Sequence, residues 1–600
     1  MSEHTVKRIP YGIADYEKIV KGNYYFVDKT GFLREIEDAG SYLFFIRPRR
    51  FGKSLFLSLM ETYYDVLKQD QFEFFYRGTK IYHRPTGERH AYLVLKFNFS
   101  SVEPSAVRVE DSFFNHVKTR ANVFISRYAE KLKVDPEKQK DDLKDLHSAS
   151  DVLQAVIGLC METEQKLYVI IDEYDNFANT ILSTTGSREY RRLTHGAGFF
   201  RTFFNVLKTG ATGSGAPISR LFVSGVSPIT MDDVTSGFNI GENISIDPGF
   251  NRMLGFTHDE VRGMLQYYRS AGWLGHDDDF LMDIMGRWYN HYNFSKNGSI
   301  SLFNSDMVLY FLKEYFKGKT LPDELIDRNV RMDYGKVRHL ILIEQGEQKR
   351  VNGNFPQLRK IVEDEEVHSK LVKGFPLEDM ALPENFISLL FYLGLLTIKA
   401  EREGRLVFTI PNLTVKSLYY DYIIRVYNET GLMAVNTNKI QELLHGMAYH
   451  GLWQPFFSYM AQEMKRSTSL RDFIREEKVV QGFLLAYLGI SDYFLVHSEK
   501  ELNKGYADIV MEPFLARYDD IKYAYVIEIK YIKARRSKGK GTKSEEEASE
   551  IIQPQIEEAR QQLARYTADD RFRKSLGQTN LIKLILVFSG PELVHMGRGD

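Results

Sequence analysis

Up to about residue 250 the chain alternates short apolar runs with longer mixed segments. Residues 41–46 (SYLFFI) form one such run; RPRRFGKS follows, and then a stretch in which Leu55, Leu57, Leu59, Met60 and Tyr63 suit a largely buried helix. That order predicts strand, loop, helix. Further buried strands are expected at 92–99, 167–171 and 218–223, each separated by enough chain for a helix. Strands alternating with helices predict a mostly parallel sheet covered on both faces. The polar stretch 135–145 and the Gly-rich stretch 209–217 are expected to be loops.

Beyond 250 the pattern turns helical. Residues 257–268 (THDEVRGMLQYY) predict a helix with Thr257 as N-cap and Glu260 three residues on. Residues 383–394 predict a helix feeding a hairpin with a Glu-Gly turn, an order that suits a winged-helix-like unit. From about 438 further helices give way to strands at 492–496, 507–511, 523–531 and 581–588, with a long polar helix at 545–566. The chain thus divides into three expected modules, 1–255, 256–430 and 431–600. The fold class is α/β: a mostly parallel sheet in the first module, a helical and winged-helix-like middle, and an α/β last module.

Composition narrows the class. Among 600 residues, 43% are hydrophobic and 26% charged, the range of folded globular proteins rather than disordered or collagen-like chains. The net charge of −1 advertises no nucleic-acid or membrane partner by itself. The single cysteine, Cys160, cannot form an intrachain disulfide, which fits a reducing compartment and makes the cytoplasm the expected location. The most apolar stretch, 386–398, is shorter than the roughly 20 residues of a membrane helix, and no leader pattern opens the chain, so no membrane partner is expected. No fixed-period repeat is visible.

Gly52-Lys53-Ser54 is the second half of a phosphate-binding loop: backbone N–H groups and a lysine hold phosphate, and a hydroxyl ligates Mg²⁺. The first glycine of that pattern is replaced by Arg47. The position between an apolar run and a helix strengthens the reading, because a helix N-terminus favours anions. The predicted strand at 167–171 delivers Asp172 to the Mg²⁺ shell and Glu173 to polarise an attacking water. The expected nucleotide contacts are Arg49, Arg50, Phe51, Gly52, Lys53, Ser54, Asp172 and Ser224, with Ser54 and Asp172 holding metal. Arg49 and Arg50 have surface ion pairing as their alternative, and Ser224, or Ser227 in its place, is either a polar sensor near the terminal phosphate or a serine that simply ends a strand.

Together IPYGIADYEKI, YYFVDKT at 24–30, RPRRFGKSLFLS and VIIDEYDNF resemble the AAA-ATPase-like family found mainly in bacteria, in which RPRRFGK is the usual form of the loop. The resemblance covers roughly the first 260 residues and implies ATP as ligand. It places the N-terminal segment near the base, and so Tyr25, Asp28 and Lys29 near the site. The middle section, with WYNHYNF at 288–294 and IPN at 410–412, also resembles this family; its aromatics are expected in the core. Related ATPases often complete their sites with an arginine from a neighbouring subunit, which makes a homo-oligomer an expectation.

In the last module Asp508 precedes Glu528-Ile529-Lys530, all in strand-like stretches. Residues i and i+2 of a strand share a face, so Glu528 and Lys530 point together, and strand pairing would bring Asp508 beside them. Two carboxylates and the Ile529 carbonyl suit Mg²⁺, and the lysine can orient or deprotonate a water: the chemistry of phosphodiester hydrolysis. Read from composition alone, a charged solvent face is the simpler alternative. The surrounding string, with Glu477 before QGFLLAYL, Ser498-Glu499, Gly505-Tyr506-Ala507-Asp508, YVIEIK and Gln562-x-x-x-Tyr566, resembles the PD-(D/E)XK nuclease domain over roughly 470–590. By that resemblance Glu477, Asp508 and Glu528 are acidic metal ligands, Lys530 is the catalytic lysine, and Gln562 and Tyr566 lie near nucleic-acid phosphate. Ala507 stands where the superfamily name has proline. The basic stretch 533–543 is either a solvated loop or a phosphate-gripping arm.

These readings converge on an ATP-binding and ATP-hydrolysing protein coupled to a Mg²⁺-dependent nuclease acting on DNA or RNA, with Mn²⁺ an alternative at the nuclease site. The alternative is a nucleotide-dependent switch or sensor that holds a partner or nucleic acid without cutting it. The near-zero net charge then averages acidic metal sites against basic phosphate-facing segments.

Overall fold

The computed structural model describes residues 6–105, 107–185, 187–195, 198–229, 240–296, 300–330, 342–345, 348–351, 354–376, 379, 382–429, 435–466, 477–503, 505–533 and 545–600. The chain divides into two compact units, the first from 1–336 with 368–413 and the second from 337–367 with 414–600.

The first unit is built on strands β1 (Tyr42–Ile46), β2 (Leu93–Asn98), β3 (Leu167–Asp172), β4 (Ile218–Gly225) and the short β5 (Glu242–Asn243). They pair in parallel in the order β2-β3-β4-β1-β5. Lys96 of β2 reaches Glu61 of the helix Lys53–Tyr64 at 3.0 Å, while the next side chain, Phe97, meets Phe203 of the helix Phe199–Ala211 at 5.6 Å between ring centroids. Successive strand side chains go to opposite faces, so helices cover the sheet on both sides. Every residue of β3 is buried, as a central parallel strand requires. Because β4 lies between β1 and β3, the C-terminal ends of three strands stand side by side, with Phe45 opposite Ser224 and Ile171 opposite Val223. The crevice outside such strand ends is where ligands bind in open α/β sheets.

The stretch 135–145, expected as a loop, is largely helical: Pro136–Asp142 is an α-helix and Leu143–Asp145 a 3-10 turn. Asp135 caps Glu137 N–H, Pro136 sits in the first turn, and Lys140–Glu137 pairs three residues apart, which together outweigh the polar composition. In 209–217 the preceding helix continues to Ala211 before the loop begins. Cys160 is buried, and burial pushes its thiol up to about 12.

Helix His258–Ser270 begins with the expected reciprocal cap between Thr257 and Glu260. Helix Pro383–Tyr392 leads into a hairpin of β9 (Thr397–Arg402) and β10 (Arg405–Thr409), whose turn places Glu403 and Gly404 at φ 51° and 72°. Two positive φ values are what a two-residue hairpin turn demands. Strands β6 (Leu342–Gln345), β7 (Gln348–Val351) and β8 (Glu366–Ser369) precede them in the chain.

The second unit contains a mixed sheet of β11 (Phe494–Leu502), β12 (Gly505–Pro513), β13 (Tyr523–Ile532), β14 (Asn580–Ser589) and β15 (Glu592–Arg598), in that spatial order. The β13–β14 pair is parallel and the others antiparallel. The helix Glu545–Tyr566 packs across β12, β13 and β14, burying Ile556, Ala559, Leu563 and Tyr566. The α/β class, the parallel sheet and the C-terminal mixed sheet match the sequence reading. Strand β15 has no alternating pattern and is an addition to it. Among the described residues no helix is long and apolar enough to cross a membrane.

Candidate nucleotide and nuclease sites

The loop after β1 is held from below by its own side chains. Arg47 is 1% exposed: its guanidinium donates to the carbonyls of Ile46, Ser245 and Phe250 and lies between the rings of Phe45 and Phe294, at 4.4 and 4.5 Å. In place of a glycine the loop thus has an internal strut, turned away from phosphate. Phe51 packs edge-on against Tyr292 and Phe294, at 4.9 and 5.3 Å, so its side chain is an anchor and only its backbone can face a ligand. The aromatics of 288–294 are buried, as expected, and they form the floor of the loop. Arg47→Ala would leave three carbonyls without their donor and a void between two rings. It is expected to destabilise the first unit by about 3 kcal/mol, read as a lowered thermal midpoint, and Arg47→Lys should not restore it because a lysine cannot donate in the same fork.

Gly52, at φ 93°, is the N-cap of helix Lys53–Tyr64. Lys53 Nζ donates to the carbonyls of Arg47 and Pro48, both at 2.8 Å, and burial brings its pKa down to about 8 against the pull of Asp172 and Glu173. Ser54 Oγ donates to Asp172 Oδ2 at 2.6 Å, joining the two groups expected to share a metal. Glu173 has φ 50°, its N–H donates to Asp172 Oδ1 at 3.0 Å, and its pKa is raised by burial and then by Asp172. These groups adjoin a cavity of about 510 Å³ with largely apolar walls. Tyr25, Lys29, Arg49, Arg50, Lys53 and Glu173 line it.

Arg49 donates to Asn176 at 3.3 Å. Arg50 is gripped by Asp306 at 2.8 Å, with Asp327 at 3.7 Å, and its carbonyl accepts from Asp306 N–H. Lys29 Nζ is held by Glu260 at 2.8 Å and by the Arg252 carbonyl at 3.0 Å. Asp28 stands off the cavity wall, since its carboxylate accepts from Thr30 N–H, Thr30 Oγ1 and Lys80 N–H and so shapes the local turn. Ser224 is also off the wall; its buried Oγ has no hydrogen-bond partner among the described residues. Sequence reasoning missed Asp306, Asp327, Asn176 and Glu260. Long-range packing brings Asp306, Asp327 and Glu260 here, whereas Asn176 follows Glu173 by only three residues; Asn304, which caps the helix bearing Asp306, is a local signal.

In the second unit β12 and β13 pair at Val510 with Val526 and Ile509 with Ile527. The next pair in that register is Asp508 with Glu528, and there the ladder stops: Asp508 Oδ2 accepts from Ile529 N–H at 2.7 Å in place of a backbone partner. Lys530 Nζ lies 3.3 Å from Glu528 Oε1 and 3.5 Å from Glu558 Oε1. Glu528 and Lys530 are 2% and 8% exposed, so this is not a solvent-facing charge pair. Among the described residues Glu528 Oε2 is buried without a hydrogen-bond partner. Gln481 donates to the Asp508 carbonyl at 2.7 Å, and Glu477, on the same helix, accepts from Tyr531 N–H. Burial raises the pKa of Glu477. Tyr566 is buried close enough to feel Glu528 and Asp508, and Gln562 one turn earlier has a buried, unpartnered Oε1.

Burial raises Asp508 to about 7, and burial followed by the Asp508 charge raises Glu528 to about 8. The two titrate as a pair. Both carboxyls therefore favour the protonated form in the folded chain, and the metal-free fold loses their contribution as pH rises from the ordinary carboxylate range, about 4, through these values. A divalent cation suits the set: hard oxygens from Asp508 and the orphaned Glu528 Oε2, with the Ile529 carbonyl next in the chain. Among the described residues no three acidic, His or Cys side chains close on a common point, so water must complete any coordination. Cation binding must displace protons. Mn²⁺ affinity is expected to rise between about pH 6 and 9 with net proton release, measured by calorimetry in buffers of different ionisation enthalpy; a pH-independent affinity would contradict these shifts.

Sequence reasoning missed Glu558 and the support of helix Glu477–Leu488 by an earlier segment. Lys478 on that helix pairs with Asp364 at 2.7 Å, while Ser498 and Lys416 both hold Glu365. Of the basic stretch 533–543, residues 534–543 lie outside the described residues.

Residues 10–235 match the family described as predicted AAA-ATPase, and residues 475–597 match the PD-(D/E)XK nuclease superfamily. The chain joins an AAA-ATPase-like domain to a PD-(D/E)XK nuclease superfamily domain. An uncharacterized protein in the vnfD 5′ region of Azotobacter chroococcum mcd 1 is 25% identical over 466 residues, which is 76% of this chain and 77% of that protein. That similarity is longer than either domain alone. The AAA-ATPase-like match contains the phosphate loop, Asp172 and Glu173, and the nuclease match contains Glu477, Asp508, Glu528, Lys530, Gln562 and Tyr566.

Proposed function

We propose that the chain is an ATP-regulated, Mg²⁺-dependent nuclease that hydrolyses phosphodiester bonds of DNA or RNA. The observation that carries this reading is the buried pair Asp508 and Glu528, opposed where β12 and β13 part, with Lys530 beside them. In this scheme Asp508 and Glu528 hold the cation, water completes its shell, Glu477 stands by as a nearby acidic group rather than a direct ligand, and Mn²⁺ can replace Mg²⁺. Lys530 orients the attacking water, and Gln562 and Tyr566 face the phosphate of the bound strand. A bound cation would supply charge neutralisation at the phosphate and a more acidic water.

At the nucleotide site Lys53 and the backbone of 49–54 receive the phosphates, Ser54 and Asp172 hold Mg²⁺, and Glu173 polarises water. Arg49 and Arg50 turn to phosphate, Arg50 by leaving Asp306. Tyr25 and Lys29 border the base, while Ser224, buried off the cavity wall, is left without a direct phosphate contact. Within this scheme residues 256–430 act as a helical lid and winged-helix-like part.

Incubating the full chain with DNA and RNA panels, with and without ATP, in Mg²⁺ or Mn²⁺ tests the proposal. Metal-dependent cleavage that changes with ATP supports it. Binding of nucleic acid without cleavage under all conditions would leave the switch or sensor as the better reading.

A further inference from the structure

Lys530 sits between two carboxylates, and only one of them belongs to the pair expected to hold metal. Glu528 Oε1 is 3.3 Å from its Nζ and Glu558 Oε1 is 3.5 Å away on the other side. Glu558 belongs to helix Glu545–Tyr566, four residues before Gln562 and eight before Tyr566, so the three occupy one stripe of that helix, which runs from the exposed Glu558 to the buried Tyr566. Its side chain is 58% exposed, unlike the 3% of Glu528.

From this arrangement we infer that Glu558 is a positioning residue for Lys530 in the nuclease reaction, an inference that rests on the nuclease reading. Once the Glu528 carboxylate is engaged as a ligand, its hold on Lys530 weakens, and a lysine stem with four rotatable bonds has no fixed direction of its own. Lys530 lies beyond the point where β12 pairs with β13, so β12 no longer flanks it on that side. Glu558 supplies the second anchor. It keeps the ammonium at the mouth of the strand gap, where it can donate to the attacking water, and it does so from the helix that also carries Gln562 and Tyr566. The stripe thereby sets lysine and phosphate contacts from one rigid element.

The role makes separable demands on the full chain. Glu558→Gln and Glu558→Ala should each lower kcat for oligonucleotide cleavage by about 10- to 100-fold, the scale of a misplaced catalytic group, with KM within about twofold. Glu558→Asp should recover part of the loss. Mn²⁺ affinity measured by calorimetry, with the metal alone as probe, should stay within about twofold of wild type. Adding Glu558→Ala to Lys530→Ala should cost nothing further, because a positioning residue has no effect once its target is gone.

An unchanged kcat in both the Gln and Ala variants would overturn the inference and make Glu558 a rim charge. A Mn²⁺ affinity that falls together with kcat would also overturn it, by making Glu558 a ligand. Equal cleavage by wild type and Lys530→Ala is a different failure: it removes the nuclease reading itself, whatever the Glu558 variants do.

Discussion

Lys530→Ala is expected to lower cleavage of DNA or RNA by about 10³-fold or more while leaving the chain folded and able to bind Mn²⁺. The scale is that of removing a positioned proton-transfer or water-orienting group. Lys530 is 8% exposed and bridges Glu528 and Glu558, so its loss withdraws the ion-pair partner that Glu528 has among the described residues. The fold survives because Glu528, already raised to about 8, can take a proton in its place. Glu558 is largely in water and needs no partner. The thermal midpoint should therefore move little near neutral pH while activity collapses. A variant that cleaves at the wild-type rate would show that the lysine is merely a charge partner.

Glu173→Gln is expected to retain ATP binding and to slow hydrolysis by about 10²- to 10⁴-fold. Glutamine has the same shape, and the backbone that carries it, at φ 50° with its N–H on Asp172, does not depend on the carboxylate. What it lacks is a charge able to polarise water. Lys53→Ala should behave differently and abolish binding, since Lys53 is the cation expected to move from the carbonyls of Arg47 and Pro48 to the phosphates. Binding by fluorescent nucleotide and hydrolysis by phosphate release separate the two variants. Normal turnover by Glu173→Gln would place the general base elsewhere.

Much of this fold was legible because buried parallel strands are written as continuous apolar runs: β1, β2, β3 and β4 fall where such runs do. The nuclease cluster was legible for a different reason. Spacing of two along a strand brings Glu528 and Lys530 together, and one antiparallel register then places Asp508 opposite. The helix Pro136–Asp142 was hidden by its polar composition, since capping rather than an apolar face marks it. Arg47 illustrates a deeper limit: nothing local says that its charge will be surrounded by carbonyls from residues 245 and 250. Asp306 and Asp327 likewise reach Arg50 across more than two hundred residues of chain, and Glu558 reaches Lys530 from a separate helix. Asp28 shows the reverse, a polar residue near the site in sequence whose carboxylate is committed to its own turn.

The central claim is that one chain couples a nucleotide site to a metal-dependent phosphodiesterase centre. The most direct measurement follows cleavage of labelled DNA and RNA by wild type, Lys53→Ala and Lys530→Ala, each with Mg²⁺ and with or without ATP. The account predicts cleavage by wild type that responds to ATP, cleavage by Lys53→Ala that no longer responds, and cleavage by Lys530→Ala lowered about 10³-fold or more. Cleavage by Lys530→Ala equal to wild type, or a wild type that cuts neither nucleic acid in any condition, would contradict it.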